Sequence, residues 1–113
     1  MTDNSKAFVL DSDMAWEDLG GGIKRKIMAF NENLMILKVA FEKGGVGSLH
    51  HHPHTQASYV ESGKFEITIN GQMKILKAGD VFFVNPDLVH GAVCIASGIL
   101  IDIFNPMRED FVY

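Results

Sequence analysis

Cysteine is almost missing from this chain. Cys94 stands alone, so no intramolecular disulfide can form and a reducing, cytoplasmic setting is expected. No apolar run nears the roughly 20 residues that span a bilayer, because Lys or Asp breaks the longest stretches. The opening residues lack a basic start followed by an apolar core, so no secretory signal is read. Basic charge is scarce as well. The net charge is −4 and the largest basic run is Lys24-Arg25-Lys26, which argues against a nucleic-acid surface. Internal repeats and low-complexity tracts are absent, and convincing 3.6-residue periodicity is confined to short segments.

What remains is a globular composition, 47% hydrophobic and 21% charged over 113 residues, enough for one domain. Eleven glycines and eight phenylalanines suit a β protein with many tight turns. From residue 23 onward, short β-runs alternate with turn signals. Strands are predicted at 23–30, 34–41, 49–52, 56–61, 64–69, 73–77, 81–84, 90–95 and 99–104. Asn70-Gly71 is the clearest turn, since a type I′ hairpin needs φ > 0 at both positions. Ahead of it, Phe65, Ile67 and Ile69 alternate with Glu66 and Thr68, the pattern of a strand with one wet face. Ser62-Gly63 and Ser97-Gly98 read as further turns. The whole predicts an all-β sandwich or closed barrel, with the jelly roll among the candidates. Residues 23–113 form that domain. Residues 1–22 are an N-terminal edge segment, with Ala7-Phe8-Val9-Leu10 as an edge strand and Gly20-Gly21-Gly22 as a flexible joint. That segment could pair with a second subunit or pack on its own barrel.

Four of the five histidines fall at His50, His51, His52 and His54, and the fifth, His90, follows Asn85-Pro86-Asp87. Neutral imidazole is the commonest metal ligand. His50, His52 and Gln56 share parity and would point to one face of an extended strand, while His51 would point away. Pro53 interrupts the ladder, so His54 could turn either way. The turn before His90 would deliver it to a neighbouring strand, and three imidazoles and one carboxamide oxygen would then converge inside the barrel.

These residues resemble a known family. Gly44 through Gly63 resembles the first cupin motif, and Gly79-Asp80 through Pro86 and His90 resembles the second. The resemblance implies a double-stranded β-helix, the cupin jelly-roll barrel, holding one divalent transition metal on His50, His52, Gln56 and His90. Ni, Zn, Fe and Mn are all open. Gln56 stands where the commonest cupin pattern has Glu. A neutral ligand set leaves the ion its full formal charge and favours an anionic ligand, with a carboxylate the obvious biological candidate.

Near the C-terminus, Ile99, Ile101 and Ile103 share one face and Leu100, Asp102 and Phe104 the other. If the even face lines the cavity, burial raises the pKa of Asp102 and lets it donate as well as accept a proton; if the odd face does, Asp102 is merely solvent-facing. Arg108 could be a surface residue or could hold a carboxylate bidentately. The run Asp102 through Phe111 resembles the tail of small cupins that linearise unsaturated uronates from pectin and alginate, as do Gly22 through Ile27 and His50 through Gln56. That narrower resemblance implies catalytic roles for Asp102 and Arg108, substrate contacts from Arg108 and Phe104, and a homodimer acting on a small sugar acid. Competing readings are another metal cupin such as an Fe(II) dioxygenase, a non-catalytic module that binds a small acid or sugar, and a storage cupin without chemistry. Elsewhere, Cys94, Phe82 and Phe83 read as core, Met28, Met35 and Met73 as gap fillers, Arg25 as part of a solvated face and Glu109-Asp110 as a soluble end.

Overall fold

The computed structural model describes residues 6–113. Among these, eight strands form one continuous antiparallel system: β1 (Glu17–Gly20), β2 (Ile23–Phe30), β3 (Met35–Phe41), β4 (Val46–His50), β5 (Thr55–Ile69), β6 (Gln72–Lys77), β7 (Val81–Val84) and β8 (His90–Asn105). A 3-10 turn at Asp11–Asp13 and the short α1 (Glu109–Val112) flank them. The strand path is β1-β2-β3-β8-β5-β6, with β4 added to β8 and β7 added to β5. No helix of the described residues is long and apolar enough to cross a membrane.

Two long strands hold the barrel together. Thr55–Val60 of β5 pairs with β7 and the second half of β8, whereas Lys64–Ile69 pairs with β6 and the first half of β8. The predicted turns at Ser62-Gly63 and Ser97-Gly98 are therefore corners within continuous strands. They face each other across β5 and β8, where the ladder register shifts, and each strand bends from one layer into the other. Gly63 takes φ +84, and a Cβ on Gly98 would run into the Ser62 carbonyl. A glycine fits such a crossing because it has no Cβ. Asn70 and Gly71 have φ 50 and 81 and join β5 to β6, as the hairpin signal predicts.

The N-terminal expectation is corrected. Ala7–Leu10 forms no strand, and Phe8 is 88% exposed. The strand in this region is Glu17–Gly20, paired with β2 of the same chain. Gly20, Gly21 and Gly22 all have positive φ and form the hairpin turn between them, not a joint between units. The predicted strand at 49–52 begins earlier and ends at His50.

Alternation sorts the side chains as the β period requires. Phe41, Val60, Phe65, Ile67, Phe82, Val84, Cys94 and Leu100 fill one half of the interior. Phe30, Met35, Leu37, Phe104 and Met107 fill the other, beneath the mouth where β4 ends and β5 and β8 begin. Phe83 and Met73, expected inside, are exposed, because Phe83 has the opposite parity to Phe82 and Met73 lies on the outer hairpin.

Candidate metal centre

The even face of β8 turns inward. Leu100 and Phe104 are buried, and Asp102, between them, is half-buried among Leu37, Ser58 and the rings at the barrel mouth. Cross-strand register therefore stacks two rungs on the inner surface: Gln56 opposite Phe104, and the polar pair Ser58 opposite Asp102. His90 opens β8 opposite His50 at the end of β4. His52 sits in the loop that follows, tied down because Asp87 donates its backbone N–H to the His52 carbonyl at 2.8 Å.

His50, His52 and His90 bring one ring nitrogen each within 4.8 Å of one another, with His52 carried by the loop after β4 rather than by a continuous strand. His51 is exposed, as predicted. Each of the three clustered rings has its Nδ1 on a backbone carbonyl: Ser48 at 2.7 Å, His54 at 3.2 Å and Leu88 at 2.8 Å respectively. A carbonyl only accepts, so Nδ1 carries the ring proton and Nε2 keeps its lone pair. Burial pushes the His52 imidazole below its ordinary value, and the His90 imidazole down to about 4, so neither gains a second proton at neutral pH. Gln56 Oε1 lies 3.0 Å from His52 Nε2 and 3.1 Å from His90 Nε2. Bare lone pairs thus face one another at hydrogen-bond distance with no proton between them. A cation relieves that opposition, so the donor set fits a divalent metal held by His50, His52, His90 and Gln56. His52 and His90 are buried whereas His50 is exposed, which leaves the His50 side open for approach. Two open grooves of about 680 and 710 Å³ lie elsewhere and hold no such converging ligands.

His54 stands apart from the cluster. Its Nε2 donates to the Met107 carbonyl at 3.2 Å, which ties the loop carrying Arg108 to the histidine segment. Its Nδ1 is buried without a hydrogen-bond partner among the described residues. Phe104 presents its ring to His52 and His54, with centroids 5.6 and 6.3 Å away.

Asp102 accepts a hydrogen bond from Ser58 Oγ at 2.5 Å. Burial raises its pKa to about 6, against the opposing pull of Ser58 and Arg108. Arg108 is buried, with its Cζ 5.1 Å from the Phe104 ring and 4.3 Å from the Phe111 ring. Its Nε and Nη2 donate to Asp110 Oδ1 and Oδ2 at 3.0 and 2.8 Å. The carboxylate that Arg108 holds bidentately here is Asp110, a residue read from sequence as a soluble end. Arg25, read as solvated, lies over the Phe111 ring with its Cζ 4.1 Å from the centroid and donates to Glu17 at 2.7 Å. Sequence reasoning also passed over Ser58. The one signal that could have found it is its parity with Gln56 on a strand whose inner face was already assigned to the metal.

Comparison with known proteins places this geometry in a family. The cupin domain matches residues 37–104. The pectin degradation protein KdgF of Dickeya dadantii is 42% identical over 109 residues, spanning 95% of this chain and 99% of that protein. Among solved structures, an RmlC-like cupin from Shewanella frigidimarina superposes with a TM-score of 0.95 at 49% identity, over 98% of this chain and all of that one. KdgF from a Halomonas species gives 0.91 at 36% identity, over 96% and 100%. With its histidines at the barrel mouth and this match over well more than half its length, the chain belongs to the cupin family.

Proposed function

We propose that this cupin converts 4,5-unsaturated monouronates from pectin or alginate into linear 5-keto-4-deoxyuronates. The observation that carries the reading is a carboxyl group with a pKa near 6 and a buried guanidinium beside a neutral His-His-His-Gln centre. The 42% identity to a pectin degradation protein supports the same substrate class. One divalent transition ion per chain, held by His50, His52, His90 and Gln56, would supply Lewis-acid polarisation of a substrate oxygen. A neutral ligand set favours an anionic substrate.

In these substrates the C4=C5 bond is conjugated to the carboxylate. Opening the hemiacetal breaks the bond between C1 and the ring oxygen, leaving an aldehyde at C1 and an enol at C5. The enol takes a proton at C4 and loses one from its C5 oxygen, so the net change is an isomerisation. Asp102 carries that proton, since a group titrating near 6 both donates and accepts close to neutrality. Its Oδ1 is engaged by Ser58, and Oδ2 is assigned to the transfer. Arg108 orients the substrate carboxylate with the N–H groups that Asp110 leaves over, and Phe104 forms the apolar wall.

The working unit in this reading is a cytoplasmic homodimer. Val81, Phe83 and Tyr59 are exposed on the outer sheet face, in register with Ile101 and Ile103. Ala7 and Val9 lie along the same face beside Ile36 and Ile101. A second copy is the occupant that would cover this patch and the exposed Phe8. The function is tested by incubating the purified protein with 4,5-unsaturated galacturonate and following the product by NMR. A new methylene at C4 together with a C5 ketone is the expected outcome; unchanged cyclic substrate beyond the buffer rate would refute it.

A further inference from the structure

Between the histidine cluster and Asp102 stands a hydroxyl with both of its capacities committed. Ser58 is 1% exposed. It accepts from Gln56 Nε2 at 2.9 Å and donates to Asp102 Oδ1 at 2.5 Å. A serine hydroxyl has a single proton, and a carboxylate oxygen cannot donate. The Ser58 proton therefore goes to Asp102, and only lone pairs remain for Gln56. An amide can turn either its oxygen or its NH2 toward a neighbour, and the surrounding network decides which. Lone pairs on Ser58 select the NH2. The same rotation directs Oε1 to the other side, 3.0 and 3.1 Å from the Nε2 atoms of His52 and His90.

We infer that Ser58 is a positioning residue for the metal centre. Its hydroxyl holds the Gln56 amide with oxygen, not NH2, toward the three imidazoles. The flipped amide would present two N–H groups to the ion and remove one of its four protein ligands. A glutamate at this position would need no such device, because both of its terminal atoms are oxygens. The buried hydroxyl is thus the structural counterpart of having glutamine where the commoner cupin pattern has glutamate. Strand register makes it possible: Gln56 and Ser58 lie two apart on β5, and Ser58 faces Asp102 across the ladder. The inference rests on the metal-centre reading and not on the identity of the substrate.

The test is a cycle of Zn²⁺ and Ni²⁺ affinities, measured by competition with a chromophoric chelator on the full chain. The proteins are wild type, Ser58→Ala, Gln56→Glu and the double variant, with folding followed by circular dichroism. Removing a group that orients a ligand typically weakens metal binding about 10–100-fold. That loss is expected for Ser58→Ala in the Gln56 background. In the Gln56→Glu background the same substitution is expected to change affinity by less than about threefold. Ser58→Val removes the hydroxyl with a residue that suits a strand and adds no metal ligand, so it should weaken binding in the same sense and serves if the alanine variant does not fold. Equal losses in both backgrounds, or undiminished affinity in Ser58→Ala or Ser58→Val, would overturn the proposal. Failure of the wild type itself to bind either ion would overturn the metal-centre reading first.

Discussion

Oε1 of Gln56 lies 3.1 Å from Nε2 of His90, and the ring proton of His90 is committed on its other side to the Leu88 carbonyl. Two acceptors at that distance are stable together only around a cation, and the consequences can be measured.

Metal loading should stabilise the fold. A ligand present at 100 times its dissociation constant adds about 2.7 kcal/mol to a protein that binds it only when folded. Thermal unfolding with and without excess Zn²⁺ or Ni²⁺ should show a clear rise in Tm for the wild type. The rise should vanish in His52→Ala and His90→Ala, since each removes a buried ligand. A metal-dependent rise that survives both substitutions would locate the ion elsewhere.

Asp102→Asn should abolish turnover while metal remains bound. It should also stabilise the metal-free protein at neutral pH. The folded pKa is about 6, above the ordinary 3.8, so the native state binds more protons across that interval. Native stability therefore decreases as pH rises from about 4 to 6, and the full cost of ionised Asp102 is present above that. The asparagine variant escapes a cost of at most about 3 kcal/mol at pH 8 and gains nothing of this kind near pH 3. Urea denaturation at the two pH values tests it. Equal stability at pH 8 would mean that Asp102 is well solvated.

His90 works in the opposite direction. Burial lowers its imidazole to about 4 from the ordinary 6.5, so the unfolded chain binds more protons in that interval. Its contribution to metal-free stability falls as pH drops from 6.5 toward 4. Because this overlaps the Asp102 interval with opposite sign, the wild type should have a shallow profile. Asp102→Asn should reveal a steeper acid loss, read as the urea midpoint at each half pH unit. Parallel profiles for the two proteins would contradict the assignment.

Much of this centre is legible in the sequence. The i, i+2 spacing of His50 and His52 and the parity of Gln56 name the right side chains, although β4 ends at His50 and it is the loop carrying His52, not one continuous strand, that brings them together. The inward turn of Asp102 was left as one of two possibilities, because alternation in Ile99–Phe104 gives two faces without saying which is inside. Pairing with buried Leu37 and Ser58 resolves it. Ser58 itself carries no motif. Its role comes from a carboxylate 44 residues away, brought opposite by register. The corners at Ser62-Gly63 and Ser97-Gly98 read as turns because Ser-Gly is turn chemistry, and only their mutual crossing reveals continuous strands. Asp110 read as a solvated end because the pattern does not show that Arg108, two residues earlier, is buried and turns its fork onto this exposed carboxylate.

That contact separates orientation from stability. Asp110 is largely exposed, so its ion pair with Arg108 adds less than about 1 kcal/mol to folding. Asp110→Asn should leave Tm nearly unchanged yet raise KM several-fold, because Arg108 loses the fork that fixes its plane. Arg108→Lys should not rescue Arg108→Ala, since an ammonium reproduces neither the two-point fork to Asp110 nor the guanidinium's contacts with the Phe104 and Phe111 rings. Steady-state kinetics with thermal melts of the same variants decide the point. A large fall in Tm with KM unchanged would make the pair structural.

In the proposed function, the histidine and glutamine centre serves uronate linearisation. Its most direct test is the decay of ultraviolet absorbance of 4,5-unsaturated galacturonate in buffer, with the protein, and with the protein after chelator treatment. Decay faster than in buffer, lost on chelation and restored by one of Ni²⁺, Zn²⁺, Mn²⁺ or Fe²⁺, is the expected outcome. Decay at the buffer rate under every metal, or acceleration indifferent to the chelator, would contradict it.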